Sequence, residues 1–128
     1  MSTVDELFEH ARAQLTRLTP EEALAAQRDG AHLVDIRGDA QRAADGAVPG
    51  ARVIARNVLE WRLDPASEHR DDAVAHASAR VVLICDEGYQ SCLAAATVKR
   101  FGLADVTDVV GGFQAWRAAG LPVEPASR

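Results

Sequence analysis

The chain has 128 residues, enough for one domain whose core needs neither disulfides nor metals. Asp and Glu outnumber Lys and Arg by 19 to 14, and the resulting net charge of -5 at pH 7 disfavours nucleic acid as a partner. No apolar stretch approaches the roughly 20 residues that cross a membrane, so no membrane partner is expected either.

The first ten residues, MSTVDELFEH, are acidic and contain neither the basic nor the apolar region of a secretory signal. We therefore expect a cytoplasmic protein. The two cysteines, Cys85 and Cys92, are separated by seven positions, which matches no paired zinc-ligand spacing. Neither a dinucleotide-binding nor a phosphate-binding glycine motif occurs in the chain. The sequence thus predicts no metal site and no nucleotide cofactor.

Apolar residues among the first fifteen positions recur at the spacing of an amphipathic helix. They are Val4, Leu7, Phe8, Ala11 and Leu15. Thr3 and Glu6 form the pattern of a capping box that opens this helix. We interpret residues 1–15 as an N-terminal helical extension, which packs on the domain or serves oligomerisation. The sequence TPEE at 19–22 opens a second helix, and Gly30 ends it.

β-strands are predicted at four apolar, β-branched segments. They lie at residues 33–36, 52–54, 81–84 and 106–110, and residues 16–18 form a further short extended piece. The segment 81–84, VVLI, does not alternate between apolar and polar residues, which indicates a central strand covered on both faces.

The segments between the strands are predicted to be helices, turns and loops. A helical turn is predicted at 57–62, a loop with one short helix at 64–79, helices at 91–101 and 113–119, and a frayed tail at 124–128. Strands that alternate with helices favour a parallel α/β sheet with helices on both faces.

Cys85 ends the predicted central strand, and Ser91 is a candidate N-cap for the helix that follows. Unpaired amides of the intervening loop and the positive end of the helix dipole favour a thiolate at this position. The alternative is that Cys85 is a small apolar residue that completes a buried strand.

The segment CDEGYQS at 85–91 resembles the active-site loop of rhodanese-like domains, in which a cysteine precedes a Gly-containing loop and a helix-opening Ser or Thr. Three further segments resemble this family in order and spacing: LVDIR at 33–37, VPGA at 48–51 and VVGGFQAWRAAGLPV at 109–123. The resemblance covers nearly the whole chain after Thr16. It implies one rhodanese-like domain at 16–124 and a tail at 125–128. The implied fold is a three-layer α/β/α arrangement with a central, mostly parallel sheet of five strands.

The resemblance also implies sulfur transfer. The Cys85 thiolate attacks the outer sulfur of a donor, either thiosulfate-like or a protein persulfide, and becomes a persulfide. A thiol or cyanide acceptor then takes the sulfur, without a cofactor. The loop that binds donor and persulfide consists of Asp86, Glu87, Gly88, Tyr89, Gln90 and Ser91, with Tyr89 at the mouth of the site.

Two features of this loop depart from the family pattern. Gln90 stands where arginine is usual, and Asp86 and Glu87 place two carboxylates beside Cys85. Each carboxylate either disfavours the thiolate and repels a dianionic donor by about 1 kcal/mol, or points into solvent and is screened. The helix dipole opposes them by a similar amount. We therefore expect weak activity with thiosulfate and a preference for a neutral, cationic or protein-bound donor.

Four further residues are candidate accessory residues. Arg37 either lies near the site or, like Asp35, pairs with neighbouring loops to hold the sheet edge, and the structural role is favoured. Arg56 reaches an anionic donor or lies in solvent, and solvent is favoured. Trp61 forms a pocket wall or fills the core, and core is favoured. Cys92 is a resolving thiol or a small helix residue packed on the sheet, and packing is favoured.

Two other functions compete with sulfur transfer. Phosphatases and arsenate reductases of related fold place an arginine six residues after the cysteine, where this chain has Ser91, so oxyanion chemistry is disfavoured. The stronger alternative is a non-catalytic binding or redox-sensing module, in which Cys85 is modified but turns over slowly.

Overall fold

A parallel β-sheet lies at the centre of the computed structural model, which describes residues 3–126. Its strands are β1 (His32–Asp35), β2 (Arg52–Val53), β3 (Arg80–Ile84) and β4 (Asp105–Asp108), in the order β2-β1-β3-β4. All three neighbouring pairs are parallel, which confirms the predicted parallel α/β sheet.

Six α-helices lie within the described part of the chain. They are α1 (Val4–Ala13), α2 (Pro20–Arg28), α3 (Asp39–Asp45), α4 (Leu59–Leu63), α5 (Gln90–Val98) and α6 (Gly112–Ala118). Thr3 and Thr19 form the two predicted capping boxes, since each hydroxyl accepts the amide three residues later, at 3.1 and 3.2 Å respectively. None of the helices in residues 3–126 has the length and apolar character needed to span a membrane.

Within the described residues the sheet has four strands, and the expected number of five is wrong. The extended piece at 16–18 contributes only one parallel bridge, between Leu18 and Val109. The Leu18 amide donates to the Asp108 carbonyl at 3.0 Å, and its carbonyl accepts from Val110 at 2.8 Å. Pairing stops there because α2 begins two residues later at Pro20, whose nitrogen has no hydrogen to donate.

The central strand β3 separates two apolar cores, as its uninterrupted apolar sequence predicts. Val81 and Leu83 face the core that includes residues of α4 and α5. Val82 and Ile84 face the other core, which includes Phe113 and other residues of α2 and α6. Because successive strand residues point to opposite faces, a strand buried on both sides needs apolar residues at every position. The sheet is thus covered on both faces.

Helix α3 was not predicted, and the short helix predicted within 64–79 is absent from that segment. The seven residues of α3, DAQRAAD, contain no large apolar side chain, so the sequence gives no helical periodicity. Residues 64–79 form turns, in which the amides of Val74 and Ala75 both donate to the Asp71 carbonyl. A single such turn is not continued into a helix.

The end of the described chain is held more firmly than the predicted frayed tail. Glu124 forms an antiparallel bridge with Ala47, in which the Ala47 amide donates to the Glu124 carbonyl at 2.7 Å and the Glu124 amide donates back at 2.9 Å. The first two residues of the predicted extension and the last two of the predicted tail, 127 and 128, lie outside the described residues.

Candidate active site

Cys85 follows the last residue of β3 at the carboxyl edge of the sheet and is 6% exposed. Asp35 ends β1 and Asp108 ends β4, so both carboxylates lie at the same edge. The carboxyl ends of parallel strands converge in this way wherever open α/β sheets bind ligands.

The Cys85 sulfur accepts two backbone hydrogen bonds. The amides of Gly88 and Ser91 donate to Sγ at 3.1 and 3.3 Å. The thiol in turn donates to the Ser91 hydroxyl, with Sγ and Oγ 3.2 Å apart. The sequence led us to expect loop amides directed at the sulfur, and these two residues supply them. Such donors stabilise negative charge on sulfur, whether in a thiolate or in a bound persulfide.

Glycines make this loop geometry accessible. Gly88 has φ of +87°, and a Cβ there would lie 2.6 Å from the Gly111 nitrogen. Gly112 allows the start of α6 to approach equally closely, since a Cβ there would lie 2.6 Å from the Cys85 carbonyl oxygen. The Phe113 amide then donates to that carbonyl at 2.8 Å. The two glycines that precede Phe113 thus let the first turn of α6 hold the loop from behind.

Ser91 lies within α5 and is not its N-cap, contrary to the prediction. The helix begins at Gln90, and Tyr89 occupies the capping position without a side-chain hydrogen bond. The Ser91 hydroxyl is buried and donates to Oδ2 of Asp108 at 2.7 Å, so it is not free to cap the helix. Its amide and hydroxyl both face the Cys85 sulfur instead.

Asp108 and Arg17 belong to the site, although neither was among the candidate residues. Asp108 is fully buried, and Arg17 binds it through two nitrogens, Nε to Oδ1 at 2.8 Å and Nη2 to Oδ2 at 3.0 Å. The Arg17 Nη2 also donates to the Gly88 carbonyl at 2.6 Å. Burial lowers the pKa of Arg17, but the hydrogen bond and charge of Asp108 outweigh it, so this pKa is raised. Asp108 is the only charged residue within the predicted strand at 106–110, and this is the sequence signal that could have identified it.

Cys92 is completely buried on the inner side of α5. Burial raises the pKa of its thiol, and the negative charge of Asp108 raises it further. A raised pKa means a smaller thiolate fraction at any pH below it, so Cys92 is a poor nucleophile near neutrality. This placement supports the packing role over that of a resolving thiol.

We predict that iodoacetamide at pH 7 labels Cys85 at least about ten times faster than Cys92, because only the thiolate reacts. Peptide mapping of partly labelled protein measures both rates. Preferential labelling of Cys92 in folded protein would contradict the assignment of Cys85 as the reactive thiol.

Arg37 is buried and pairs with Asp35 of its own strand end, a pairing that the sequence interpretation did not foresee. Its Nη2 lies 2.8 Å from Oδ2 and its Nε lies 3.1 Å from Oδ1 of that carboxylate. The guanidinium carbon lies 3.8 Å from the centroid of the Phe113 ring, a cation–π contact. Within the described residues, Nη1 of Arg37 is buried and has no hydrogen-bond partner. Arg37 therefore holds the sheet edge.

An open cleft of about 410 Å3 lies over the sulfur. Its lining combines the predicted loop with nearby side chains: Ile36, Arg37, Gln41, Arg56, Cys85, Asp86, Glu87, Tyr89 and Gln90. The volume falls within the range of small-molecule sites.

Trp61 does not line the cleft and is 56% exposed, so it forms neither a pocket wall nor, as was favoured, part of the core. Its place in the short helix α4 turns it outward, while Leu59 and Leu63 of the same helix fill the core.

Arg56 lines the cleft, and the favoured solvent position is wrong. Its Nη1 pairs with Glu60 at 2.7 Å, one helical turn away. The Nε of Arg56 is buried and, among residues 3–126, finds no hydrogen-bond partner. The side chain is held in the cleft because the Arg56–Val58 turn leads directly into α4.

The two acidic residues after Cys85 differ in their surroundings. Oδ1 of Asp86 accepts a hydrogen bond from Nε2 of Gln114 at 2.8 Å, whereas Glu87 is exposed. Gln90 is exposed as well and offers the cleft an amide in place of a cation. The loop thus adds negative charge to a cleft that also contains two guanidinium groups.

Comparison with protein families gives a match to the rhodanese-like domain over residues 19–119. Thiosulfate sulfurtransferase GlpE of Pseudomonas putida (strain GB-1) is 37% identical over 115 residues, which cover 89% of this chain and 94% of that relative. GlpE of Pseudomonas aeruginosa (strain LESB58) is 35% identical over 111 residues, 87% of this chain and 91% of the relative.

Two solved structures resemble this chain in fold. A Rhodopseudomonas palustris protein of unknown function, described as a possible tyrosine phosphatase, has a TM-score of 0.88 at 32% identity, covering 97% of this chain and 96% of its own. The polysulfide-sulfur transferase homodimer of Wolinella succinogenes has a TM-score of 0.76 at 23% identity, covering 94% and 86%. At 23% identity, the similarity to the Wolinella succinogenes protein shows a shared fold alone.

Proposed function

This chain belongs to the rhodanese-like domain family, and from that premise we propose that it is a sulfurtransferase that carries sulfane sulfur on Cys85. The observation that supports this most strongly is the pair of amides, Gly88 and Ser91, directed at the Cys85 sulfur beneath an open cleft. A cysteine that only completes a strand needs no donors arranged around it.

In the first half-reaction, the Cys85 thiolate attacks the outer sulfur of the donor. A bond forms between the two sulfurs as the donor's own sulfur–sulfur bond breaks, and the leaving group departs with the electron pair. Thiosulfate releases sulfite, and a persulfide donor releases a thiolate. The terminal sulfur of the new Cys85 persulfide then lies toward the cleft. Covalent catalysis of this kind gives ping-pong kinetics.

In the second half-reaction, an acceptor thiolate attacks the terminal sulfur. The bond to the Cys85 sulfur breaks, and Cys85 leaves as a thiolate with the electron pair. Cyanide as acceptor gives thiocyanate in the same manner. The Gly88 and Ser91 amides stabilise the negative charge that returns to Sγ, so they contribute to both half-reactions. No cofactor takes part in either step.

The charges around the cleft support a neutral or protein-bound donor over thiosulfate. The cleft and its immediate surroundings contain two guanidinium groups, those of Arg37 and Arg56, and four carboxylates. The carboxylates belong to Asp35, Glu60, Asp86 and Glu87. Asp35 and Glu60 pair with the two arginines. The two loop carboxylates therefore remain in excess and repel a dianion. The guanidinium groups of Arg37 and Arg56 line the cleft and still suit one anionic group, such as the terminal sulfur of the Cys85 persulfide.

We predict that Asp86→Arg lowers the KM for thiosulfate by about 30-fold, because it exchanges one repulsion for one attraction, each worth about 1 kcal/mol. The KM for a neutral persulfide donor is expected to change by less than about twofold. Glu68→Arg makes the same change of charge at an exposed position that does not line the cleft, and it serves as the control. A thiosulfate KM that is equal in Asp86→Arg and wild type would remove the charge argument.

The proposed function is tested by the mass of the protein. Reduced protein is incubated with excess thiosulfate and separately with a neutral persulfide donor, and a gain of about 32 Da, one sulfur atom, is expected. Peptide mapping is expected to locate the gain on Cys85, and cyanide is expected to remove it. The neutral donor is expected to react faster.

A protein that gains no sulfur from either donor, yet is oxidised at Cys85, would support the binding or redox-sensing module instead. Phosphate-ester hydrolysis is another activity to test, because the Rhodopseudomonas palustris relative is described as a possible tyrosine phosphatase. The loop of this chain contains no arginine between Cys85 and Ser91 to bind a tetrahedral oxyanion. Hydrolysis of p-nitrophenyl phosphate is therefore expected to remain at the background rate.

A further inference from the structure

Arg17 holds two groups that each connect to the Cys85 sulfur. The first is the Gly88 carbonyl, which accepts from Nη2 at 2.6 Å, while the amide of the same residue donates to Sγ at 3.1 Å. The backbone of Gly111 lies directly behind Gly88, so this residue has little room to turn. Fixing its carbonyl therefore also fixes the direction of its amide.

The second group is Asp108, whose carboxylate binds Arg17 through both oxygens. Its Oδ2 also accepts from the Ser91 hydroxyl at 2.7 Å. Ser91 in turn contacts the sulfur through its hydroxyl and its amide, at 3.2 and 3.3 Å. Asp108 and Ser91 are both completely buried, so water does not compete for these bonds.

We propose that Arg17 is a positioning residue for sulfur transfer, which fixes both amide donors of the Cys85 sulfur through Gly88 and through Asp108 and Ser91. The proposal rests on the proposed sulfurtransferase function. Arg17 never touches the donor or the acceptor. Its effect reaches the reaction through the direction of the two amides.

The position of Arg17 makes the segment before the family core part of the site. Arg17 precedes residue 19, where the match to the rhodanese-like domain begins. Phe8 of α1 lies 5.4 Å from the Arg17 guanidinium carbon, and its ring centroid lies 5.4 Å from that of Tyr89 in the active-site loop. The N-terminal helix thus packs against the residue that holds the loop and against the loop itself.

Fixed donors matter to this chemistry because negative charge leaves and returns to Sγ in the two half-reactions. Donors that already point at the sulfur need no reorganisation as the charge develops. Loosening them is expected to slow the chemical steps and leave donor binding nearly unchanged. The expected signature is a fall in kcat at constant KM.

The test uses the full chain and compares wild type with Arg17→Met, Arg17→Lys and the double variant Arg17→Met/Asp108→Asn. The double variant avoids a buried carboxylate without a partner and so protects the measurement against unfolding. We expect Arg17→Met and the double variant to lower kcat with a neutral persulfide donor by about 10-fold to 100-fold, the range of one charge-assisted hydrogen bond. The KM is expected to stay within about twofold.

Two further readouts separate positioning from a merely structural role. Alkylation of Cys85 by iodoacetamide is expected to slow, and its pH midpoint is expected to rise, in the variants that lower kcat. Arg17→Lys is expected to recover part of kcat and part of the Cys85 alkylation profile. Its ammonium group pairs with Asp108 but lacks the planar fork that also reaches Gly88. Arg12→Ala, which breaks only an exposed pair with Glu9, is expected to behave as wild type.

A folded double variant with the kcat and alkylation profile of wild type would overturn the proposal. A loss that appears entirely as a raised KM would overturn it as well. If the wild type transfers no sulfur, the proposed function fails, and the alkylation profile still decides whether Arg17 positions the Cys85 thiolate.

Discussion

Replacing Cys85 by serine is expected to abolish sulfur transfer, with a loss of at least about 10³-fold in kcat/KM. The serine hydroxyl is a far weaker nucleophile than a thiolate and forms no persulfide. The substitution removes no large side chain, and the Gly88 and Ser91 amides still find an oxygen acceptor. The fold should therefore survive. Intact mass after incubation with a persulfide donor measures the first half-reaction, and thiocyanate formation from cyanide measures both.

Cys92→Ser is the matched control, because it makes the same chemical change at the other cysteine, three residues into α5. A sulfur adduct that persists in Cys85→Ser and disappears in Cys92→Ser would transfer the catalytic assignment to Cys92. An adduct that persists in both would indicate that the sulfur does not reside on cysteine.

Breaking the buried Asp35–Arg37 pair is expected to produce the largest loss of stability. Both side chains are almost inaccessible, with 1% and 0% exposure. Asp35→Ala leaves the Arg37 charge buried without its partner, which costs about 3–5 kcal/mol of the free energy of unfolding. Urea unfolding followed by circular dichroism measures this loss.

Asp72→Ala provides the matched control. Asp72 also pairs with an arginine two positions away, Arg70, but its side chain is 84% exposed. Exposed pairs contribute about 0–1 kcal/mol, so this variant is expected to unfold almost as wild type does. Equal losses in Asp35→Ala and Asp72→Ala would mean that burial does not strengthen the dependence on the Asp35–Arg37 pair. The double variant Asp35→Ala/Arg37→Met is expected to recover part of the loss, since it leaves no charge unpaired.

The sequence was sufficient for those parts of the fold that depend on local pattern. The apolar segment 81–84 identified the central strand because burial on both faces demands apolar residues throughout. Thr3 and Thr19 identified two helix starts because a capping box joins residues only three positions apart. Cys85 could be placed for the same reason, since it directly follows a recognisable strand.

Parts that depend on contacts distant in the chain could not be predicted in this way. Arg17 and Asp108 are 91 positions apart, and no local pattern links them. Trp61 was misplaced because hydrophobicity does not tell which face of a five-residue helix meets the core. The short α3 gave no signal, since Arg42 is the residue that it buries. The number of strands was wrong because residues 16–18 pair at one position only.

The edges of the sheet bear on how this protein behaves at high concentration. An edge strand with a long row of unpaired backbone groups is a template for aggregation. Here one edge is β2, which is only two residues long. At the other edge, Leu18 occupies backbone groups of Asp108 and Val110, and Pro20 follows without an amide hydrogen. Within residues 3–126 the two sheet edges therefore offer few unpaired backbone groups with which a strand of a second molecule could pair. These short edges protect the folded protein against intermolecular strand addition.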